Sequence, residues 1–90
     1  MQVFSARVIE PVGFHARPAA VAVSQANQFE SRVELCYGER AADMKSIIEI
    51  MKMGIPEDAR IEIRCCGADE QKAAEAIGQV LQEKKVIEIE

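Results

Sequence analysis

The sequence predicts an α+β fold in which one β-sheet is covered on one face by helices. Segments that alternate between apolar and polar residues, typical of half-buried strands, are separated by segments with apolar residues at helical spacing. The connections are short, and the chain of 90 residues is long enough for one small domain. The predicted order is β-α-β-β-α-β-α, in a single domain over residues 1–90.

The first two predicted elements are a strand and a helix. Val3–Ile9 alternates between apolar and polar residues, as a strand with one buried side does. The side that we expect to be buried consists of Phe4, Ala6 and Val8. A helix is predicted over Ala16–Gln28, since Pro18 lies where the first helical turn accepts a proline. Its apolar residues recur at Ala20, Val23 and Ala26 or Asn27.

A β-hairpin and a short helix are predicted next. Arg32–Tyr37 and Arg40–Asp43 form the two strands, and Gly38 marks the turn between them. The helix Ser46–Met53 is predicted to begin with a capping box, because Glu49 follows the serine by three residues. In a capping box each of these two side chains satisfies a free amide of the first turn.

The last predicted elements are a strand over Arg60–Cys66 and a helix over Gln71–Glu83, with Asp69 as its N-cap. Beyond them lies a short apolar tail that contains Ile87 and Ile89 and could pair with a strand, pack or fray. The periodicity of the chain does not by itself distinguish this arrangement from a ferredoxin-like one.

Composition excludes several classes of protein. The net charge is −4 and no basic block is present, which argues against a nucleic-acid-binding protein. No apolar run is long enough to span a membrane, and the N-terminus lacks the pattern of a secretion signal. We therefore expect a cytoplasmic protein that binds neither nucleic acid nor membranes.

The three cysteines do not predict a metal site. Cys36, Cys65 and Cys66 include no Cys-x-x-Cys spacing, and the only histidine is far from them in sequence. We interpret them as core or near-surface residues of a protein in a reducing compartment. No metal or cofactor is expected.

The segment Gly13–Ala20 carries the chemistry that the sequence predicts. It holds His15 and Arg17 at the expected start of a helix. Free backbone N–H groups at a helix start bind anions, and a guanidinium fits phosphate oxygens. A lone histidine near a helix start is more often a surface or capping residue. The spacing Gly-x-His-x-Arg-Pro instead favours a nucleophile beside a phosphate-binding site.

This segment closely resembles the active-site segment of HPr, the histidine-containing phosphocarrier of the bacterial phosphoenolpyruvate-dependent sugar phosphotransferase system. A second segment, Met44–Met51, resembles the regulatory-serine segment of that family. The resemblance covers nearly the whole chain. It implies an open-faced β-sandwich, in which a four-stranded antiparallel sheet is covered on one face by three helices.

The resemblance also implies a function. His15 would accept phosphate from enzyme I and pass it to sugar-specific IIA domains. Arg17 and the backbone amides of Ala16 and Arg17 would bind the phosphate. The residues implied to dock partners are Ala20, Ile47, Ile48 and Met51. The implied state is a monomeric carrier with a phosphohistidine intermediate rather than a stand-alone enzyme.

Ser46 has two compatible interpretations. Its spacing predicts a helix cap. The resemblance implies a regulatory phosphorylation site, with a serine kinase/phosphorylase and a transcriptional regulator as partners.

The chain also departs from the family. Some members carry lysines that match Ser24, Asn27 and Glu49 and attract an acidic partner, whereas these charges are absent or reversed here. Two other functions therefore remain open. One is a regulatory paralogue of the nitrogen-branch or catabolite-repression type, which acts by phosphorylation-dependent protein binding. The other is a small enzyme that uses the histidine as an acid or base.

Overall fold

The alternating segments form one antiparallel sheet. A computed structural model describes residues 1–90. Its strands are β1 (Gln2–Val8), β2 (Arg32–Tyr37), β3 (Arg40–Asp43), β4 (Arg60–Cys66) and β5 (Ile87–Ile89). Its helices are α1 (Ala16–Ala26), α2 (Ile47–Lys52) and α3 (Glu70–Glu83). The strand order is β3-β2-β4-β1-β5, and every neighbouring pair is antiparallel.

The prediction of a four-stranded sheet is wrong, because the apolar tail adds a fifth strand to the edge of β1. Ile87 lies opposite Val8, and Ile89 lies opposite Ala6. The chain reverses after α3 at Lys85, whose φ of 59° is left-handed. The N–H of the next residue, Val86, reaches back to a carbonyl of the last helical turn, as in a Schellman motif. The α+β class and the open-faced sandwich architecture otherwise hold.

The core lies between the sheet and the helices. Ala6 and Val8 of β1 are buried as predicted, as are the inward residues of β2 and β4. In α1 the predicted buried side is displaced by about one residue at Ala20 and Val23, which are not buried, whereas Ala26 is buried as predicted. The buried residues of this helix are Pro18, Ala19, Ala22 and Ala26. Most positions from Pro18 to Val23 are apolar, so helical spacing does not single out the buried side.

Element ends differ from the predictions by small shifts. The helix α1 ends at Ala26 rather than Gln28, and α2 comprises Ile47–Lys52 with Ser46 as its N-cap. The helix α3 begins at Glu70, and β1 is displaced by one residue toward the N-terminus. These shifts leave the predicted placement of His15 at the start of α1 unchanged.

Asp69 occupies the N-cap position of α3, but its side chain makes no hydrogen bond to its own helix. Its carboxylate instead accepts hydrogen bonds from the hydroxyl of Ser31 and from the N–H groups of Glu30 and Ser31. The bond from the Ser31 hydroxyl, followed by that from the Glu30 amide, lowers the pKa of Asp69. The carboxylate thus joins the start of α3 to the loop before β2.

We expect Asp69→Asn to destabilise the protein at neutral pH and to have less effect in acid. Because the folded protein holds the pKa of Asp69 below its unfolded value, the ionised carboxylate stabilises the fold above pH of about 4. This contribution is lost as the pH falls through the folded pKa. Melting temperatures of both proteins at pH 7 and at pH of about 3 test this expectation. An equal difference at both pH values would contradict it.

Candidate functional site

The loop before α1 is held against the segment that follows α2. Gly13 has a left-handed φ of 75°, and a Cβ added there would overlap the carbonyl oxygen of Ile55. The N–H of the buried Phe14 donates to the same carbonyl, at 3.0 Å. Glycine thus permits the close backbone approach that fixes the position of the next residue, His15.

His15 is the N-cap residue of α1. Its carbonyl accepts the hydrogen bond from the N–H of Ala19 at 3.0 Å, and its side chain does not cap the helix. The N–H groups of Ala16 and Arg17 have no backbone acceptor, and Pro18 has no N–H. Two free amides therefore lie at the positive end of the helix dipole, directly after the imidazole.

One nitrogen of the imidazole is already bound. Nε2 of His15 lies 2.9 Å from Oε1 of Glu10. Because an ionised carboxylate can only accept a hydrogen bond, we assign the proton to Nε2, which then donates to Glu10. In the neutral ring the lone pair is then on Nδ1. The side chain of His15 is 35% exposed, so a partner can reach it.

Glu10 is a functional residue that the sequence did not predict. The residue lies five positions before His15, and neither helical nor strand spacing relates the two. They meet because the turn at Gly13 folds the chain back, with the N–H of Gly13 donating to the carbonyl of Glu10 at 2.8 Å. The only sign of this contact in the sequence is Gly13, which lies between Glu10 and His15 and permits a turn there.

Arg17 is exposed and makes no ion pair. Its side chain lines a groove of about 260 Å³ between the start of α1 and the end of α3. The residues that line this groove are Glu10, Arg17, Pro18, Val21, Lys84 and Val86. Two cations, those of Arg17 and Lys84, therefore share a surface with the carboxylate that binds His15.

The predicted capping box at Ser46 is only half formed. The hydroxyl oxygen of Ser46 accepts a hydrogen bond from the N–H of Glu49 at 3.3 Å. The expected return bond is absent: the N–H of Ser46 donates to the carbonyl of Asp43 at 3.0 Å, and the carboxylate of Glu49 accepts from the N–H of Asp43 at 3.1 Å. The Ser46 hydroxyl therefore caps the helix. Because Ser46 is only partly buried, the same hydroxyl also lies near solvent.

Three apolar side chains of α2 face solvent. We name Ile47, Ile48 and Met51 the α2 patch; they are 40%, 67% and 47% exposed. Ile50 of the same helix is buried. Ala20 of α1, also predicted to dock partners, is exposed as well. The hydrogen bond from Phe14 to Ile55 places the end of α2 next to the His15 loop.

Two other cations near α2 bind backbone carbonyls. Lys45 Nζ donates to the carbonyl of Phe29 at 2.7 Å, and Arg40 donates to that of Met53 at 2.6 Å. Lys45 thus joins the start of α2 to the loop after α1. Arg40 satisfies a carbonyl at the C-terminal end of α2.

The three cysteines belong to β2 and β4, whereas His15 precedes α1. Cys36 and Cys65 are buried and Cys66 is exposed, and none is in a disulfide. Burial raises the pKa of the Cys65 thiol to about 11, which keeps it protonated and unreactive at neutral pH. No group of three or more His, Cys, Asp and Glu side chains is placed to hold a metal ion. None of the three helices is both long and apolar enough to span a membrane.

Comparison with known proteins decides the family. The family model for the HPr component of the phosphotransferase system, described by its phosphorylation site, matches residues 3–83. The chain belongs to the HPr family. A phosphocarrier protein HPr from Mycoplasma genitalium is 41% identical over 97% of this chain and 100% of its own length. The resemblance found in the sequence is thus confirmed, and the protein is an HPr phosphocarrier of the phosphotransferase system.

Solved HPr structures share the fold. The histidine-containing phosphocarrier protein of Mycoplasma has a TM-score of 0.94 at 34% identity, with 97% of this chain and 99% of that chain covered. An HPr dimer from Thermoanaerobacter tengcongensis has a TM-score of 0.74 at 30% identity, covering 86% and 88% of the two chains.

Proposed function

We propose that His15 accepts a phosphoryl group from phospho-enzyme I and passes it to sugar-specific IIA domains. The observation that carries this proposal is the partly exposed imidazole beside the free amides of Ala16 and Arg17 at the start of α1. One ring nitrogen is held by Glu10 and the other has its lone pair free. A nucleophile and an anion-binding site therefore lie side by side.

The transfer follows from this arrangement. The lone pair on Nδ1 of His15 attacks the phosphorus of the donor, and the donor's own bond to phosphorus breaks and leaves its electron pair on the donor. Phosphoryl transfer depends mainly on positioning and charge stabilisation. The free amides and Arg17 supply both. An exposed helix start stabilises an anion by about 0.3–1 kcal/mol. This free energy is enough to orient the phosphate and too small to prevent its transfer to the next protein, as a carrier requires.

Phosphorylation of the intact protein tests this function. Incubation with phosphoenolpyruvate and enzyme I should add one acid-labile phosphate to the wild type and none to His15→Ala, as measured by intact mass before and after acid treatment. An acid-stable adduct, or a labelled His15→Ala variant, would contradict the proposal.

Arg17→Lys should slow phosphoryl transfer by about tenfold although the charge remains. A lysine loses the planar pair of donors that matches phosphate oxygens, and Arg17→Ala should be slower still. The matched control is Arg32→Lys, a change at an exposed arginine of β2 that should leave the rate unchanged. Stopped-flow phosphorylation by enzyme I measures the effect. Wild-type rates for both Arg17 variants would make this side chain only a surface charge.

Phosphorylation of Ser46 is proposed to regulate docking. The hydroxyl lies at the start of α2, directly before Ile47 of the α2 patch. A phosphate there adds about two negative charges, which the helix dipole tolerates. The same charge repels an acidic partner and disturbs the apolar surface. A serine kinase/phosphorylase would then set the state that enzyme I and a transcriptional regulator encounter.

Two substitutions separate the cap from the regulatory role. Ser46→Ala removes the acceptor for the Glu49 amide and should destabilise the fold by about 1 kcal/mol, with near-normal transfer. Ser46→Asp keeps an acceptor and adds charge, so the fold should survive while enzyme I binds more weakly. Initial rates of phosphorylation against carrier concentration measure this. If Ser46→Asp matches the wild type at limiting concentration, Ser46 is only a helix cap.

We further propose that the protein acts as a monomer in the cytoplasm. The edge of β1 is covered by β5, and the two remaining edges are the short strands β3 and β5. Short edge strands disfavour pairing between molecules. Sedimentation velocity should therefore show a single species of monomer mass at micromolar concentration, and a dimer would contradict this proposal.

A further inference from the structure

Glu10 is the one residue that hydrogen-bonds to the side chain of His15. Its backbone is fixed from two sides. The N–H of Glu10 donates to the carbonyl of Val86 at 3.3 Å, and its carbonyl accepts from the N–H of Gly13 at 2.8 Å. Its side chain is 27% exposed, less than that of the histidine. The carboxylate is thus held at a defined place beside the ring.

We propose that Glu10 is a positioning residue for phosphoryl transfer at His15. It orients the imidazole by binding the proton on Nε2, which leaves the lone pair on Nδ1. It also places a negative charge beside the ring, which becomes positive when phosphorus bonds to it. This inference rests on the proposed function and assigns to Glu10 a part in that reaction.

The charge balance supports this role. Before transfer the ring is neutral, with a proton on Nε2. When the Nδ1 lone pair forms the bond to phosphorus and the donor departs with its electron pair, the ring becomes an imidazolium. The proton stays on Nε2, 2.9 Å from the carboxylate oxygen. The carboxylate therefore stabilises a charge that forms only during the reaction, as the aspartate of a catalytic triad does. On return transfer the ring leaves as neutral imidazole, with the same proton in place.

The two cations of the groove do not form ion pairs with the Glu10 carboxylate. Neither Arg17 nor Lys84 forms an ion pair with Glu10, although all three line the same surface. Glu10 also repels the incoming phosphate. That charge arrives at the other ring nitrogen, farther away than the hydrogen-bonded proton, which weakens the repulsion. The two cations further offset the repulsion.

Three variants test the proposal. Glu10→Gln keeps an acceptor for the Nε2 proton and removes the charge, whereas Glu10→Ala removes both. Glu39→Gln removes the same charge at the exposed turn between β2 and β3 and is the matched control. Two measurements apply to each: imidazole ¹⁵N spectra of the unphosphorylated protein, and steady-state phosphorylation by enzyme I. Melting temperatures show whether each variant is folded. If Glu10→Ala does not fold, the kcat of the isosteric Glu10→Gln still tests the proposal.

The expected results differ between variants. In the wild type and Glu10→Gln, the spectrum should show one neutral tautomer with the proton on Nε2, and in Glu10→Ala a mixture. Glu10→Gln should lower kcat roughly threefold to tenfold with little change in KM, because the lost charge acts on the reacting ring rather than on docking. Glu39→Gln should match the wild type in both measurements.

Two results would each overturn the proposal: a wild-type kcat for Glu10→Gln, or a wild-type imidazole spectrum for Glu10→Ala. These outcomes are distinct from failure of the proposed function, which would appear as a wild-type protein that takes no phosphate from enzyme I. Even then the spectra decide whether Glu10 orients the ring, since they need no phosphorylation.

Discussion

Gly13→Ala is expected to lower the free energy of unfolding by about 3 kcal/mol or more. Its φ of 75° disfavours any side chain, and the added Cβ would overlap the backbone oxygen of Ile55 and lie 3.0 Å from Cα of Pro56. The backbone has little freedom to move away, because the next amide, that of Phe14, donates to the same oxygen. Conformational cost and steric overlap therefore add.

A second glycine separates these two costs. Gly38, in the turn between β2 and β3, has a φ of 62°, and nothing lies within 4 Å of the position that a Cβ would take. Gly38→Ala should therefore show the conformational cost alone, about 1 kcal/mol. Chemical denaturation of both variants gives the comparison. Equal losses would show that the approach of Gly13 to Ile55 is not tight. The folded fraction of Gly13→Ala should also be phosphorylated slowly, since His15 would be displaced.

Ile48→Glu is expected to weaken binding to enzyme I by tenfold or more with little loss of stability. The side chain is 67% exposed, so a charge there should change the free energy of unfolding by no more than about 0.5 kcal/mol. At the centre of an interface the same charge would be desolvated without a partner, which is costly. Met51→Glu, at a neighbouring position of the α2 patch, should behave similarly.

The control for this prediction is Val3→Glu. Val3 is 47% exposed and lies on the sheet face away from the helices, so the substitution is the same but outside the patch. Binding is measured by calorimetry with enzyme I, and stability by thermal melting. If the melting temperature of Ile48→Glu were far below that of the wild type, the side chains of the α2 patch would belong to the core. If it bound as tightly as Val3→Glu, partners would dock elsewhere.

The strands β1 to β4 were predicted well because each has a buried side. In β4, for example, Ile61 and Ile63 are buried while Arg60 and Arg64 are exposed, and such alternation is visible in the sequence. The buried side of α1 was not predictable in the same way. Alanines occupy both the buried position 19 and the exposed position 20, and hydrophobicity does not distinguish them. The choice is made by packing against α2 and α3.

The remaining differences depend on particular tertiary contacts. The sequence left open whether the apolar tail after α3 would pair, because three residues are too few to show strand alternation, and it becomes β5 only by pairing with β1. The capping box is incomplete because Asp43 binds both of its missing partners: its carbonyl accepts from the N–H of Ser46 and its N–H donates to the carboxylate of Glu49. Glu10 reaches His15 only through the turn at Gly13. The motif predicted the position of the nucleophile, whereas the group that orients it required the folded loop.

Delivery of the phosphate tests the central claim most directly. The phosphorylated protein is separated from enzyme I and phosphoenolpyruvate, mixed with a IIA domain, and both masses are followed with time. We predict that the phosphate leaves His15 and appears on the IIA domain in equal amount, and that the carrier can then be phosphorylated again. If the phosphate is instead released only as inorganic phosphate, at the same rate with and without the IIA domain, the protein does not act as a carrier to that domain and the account is wrong.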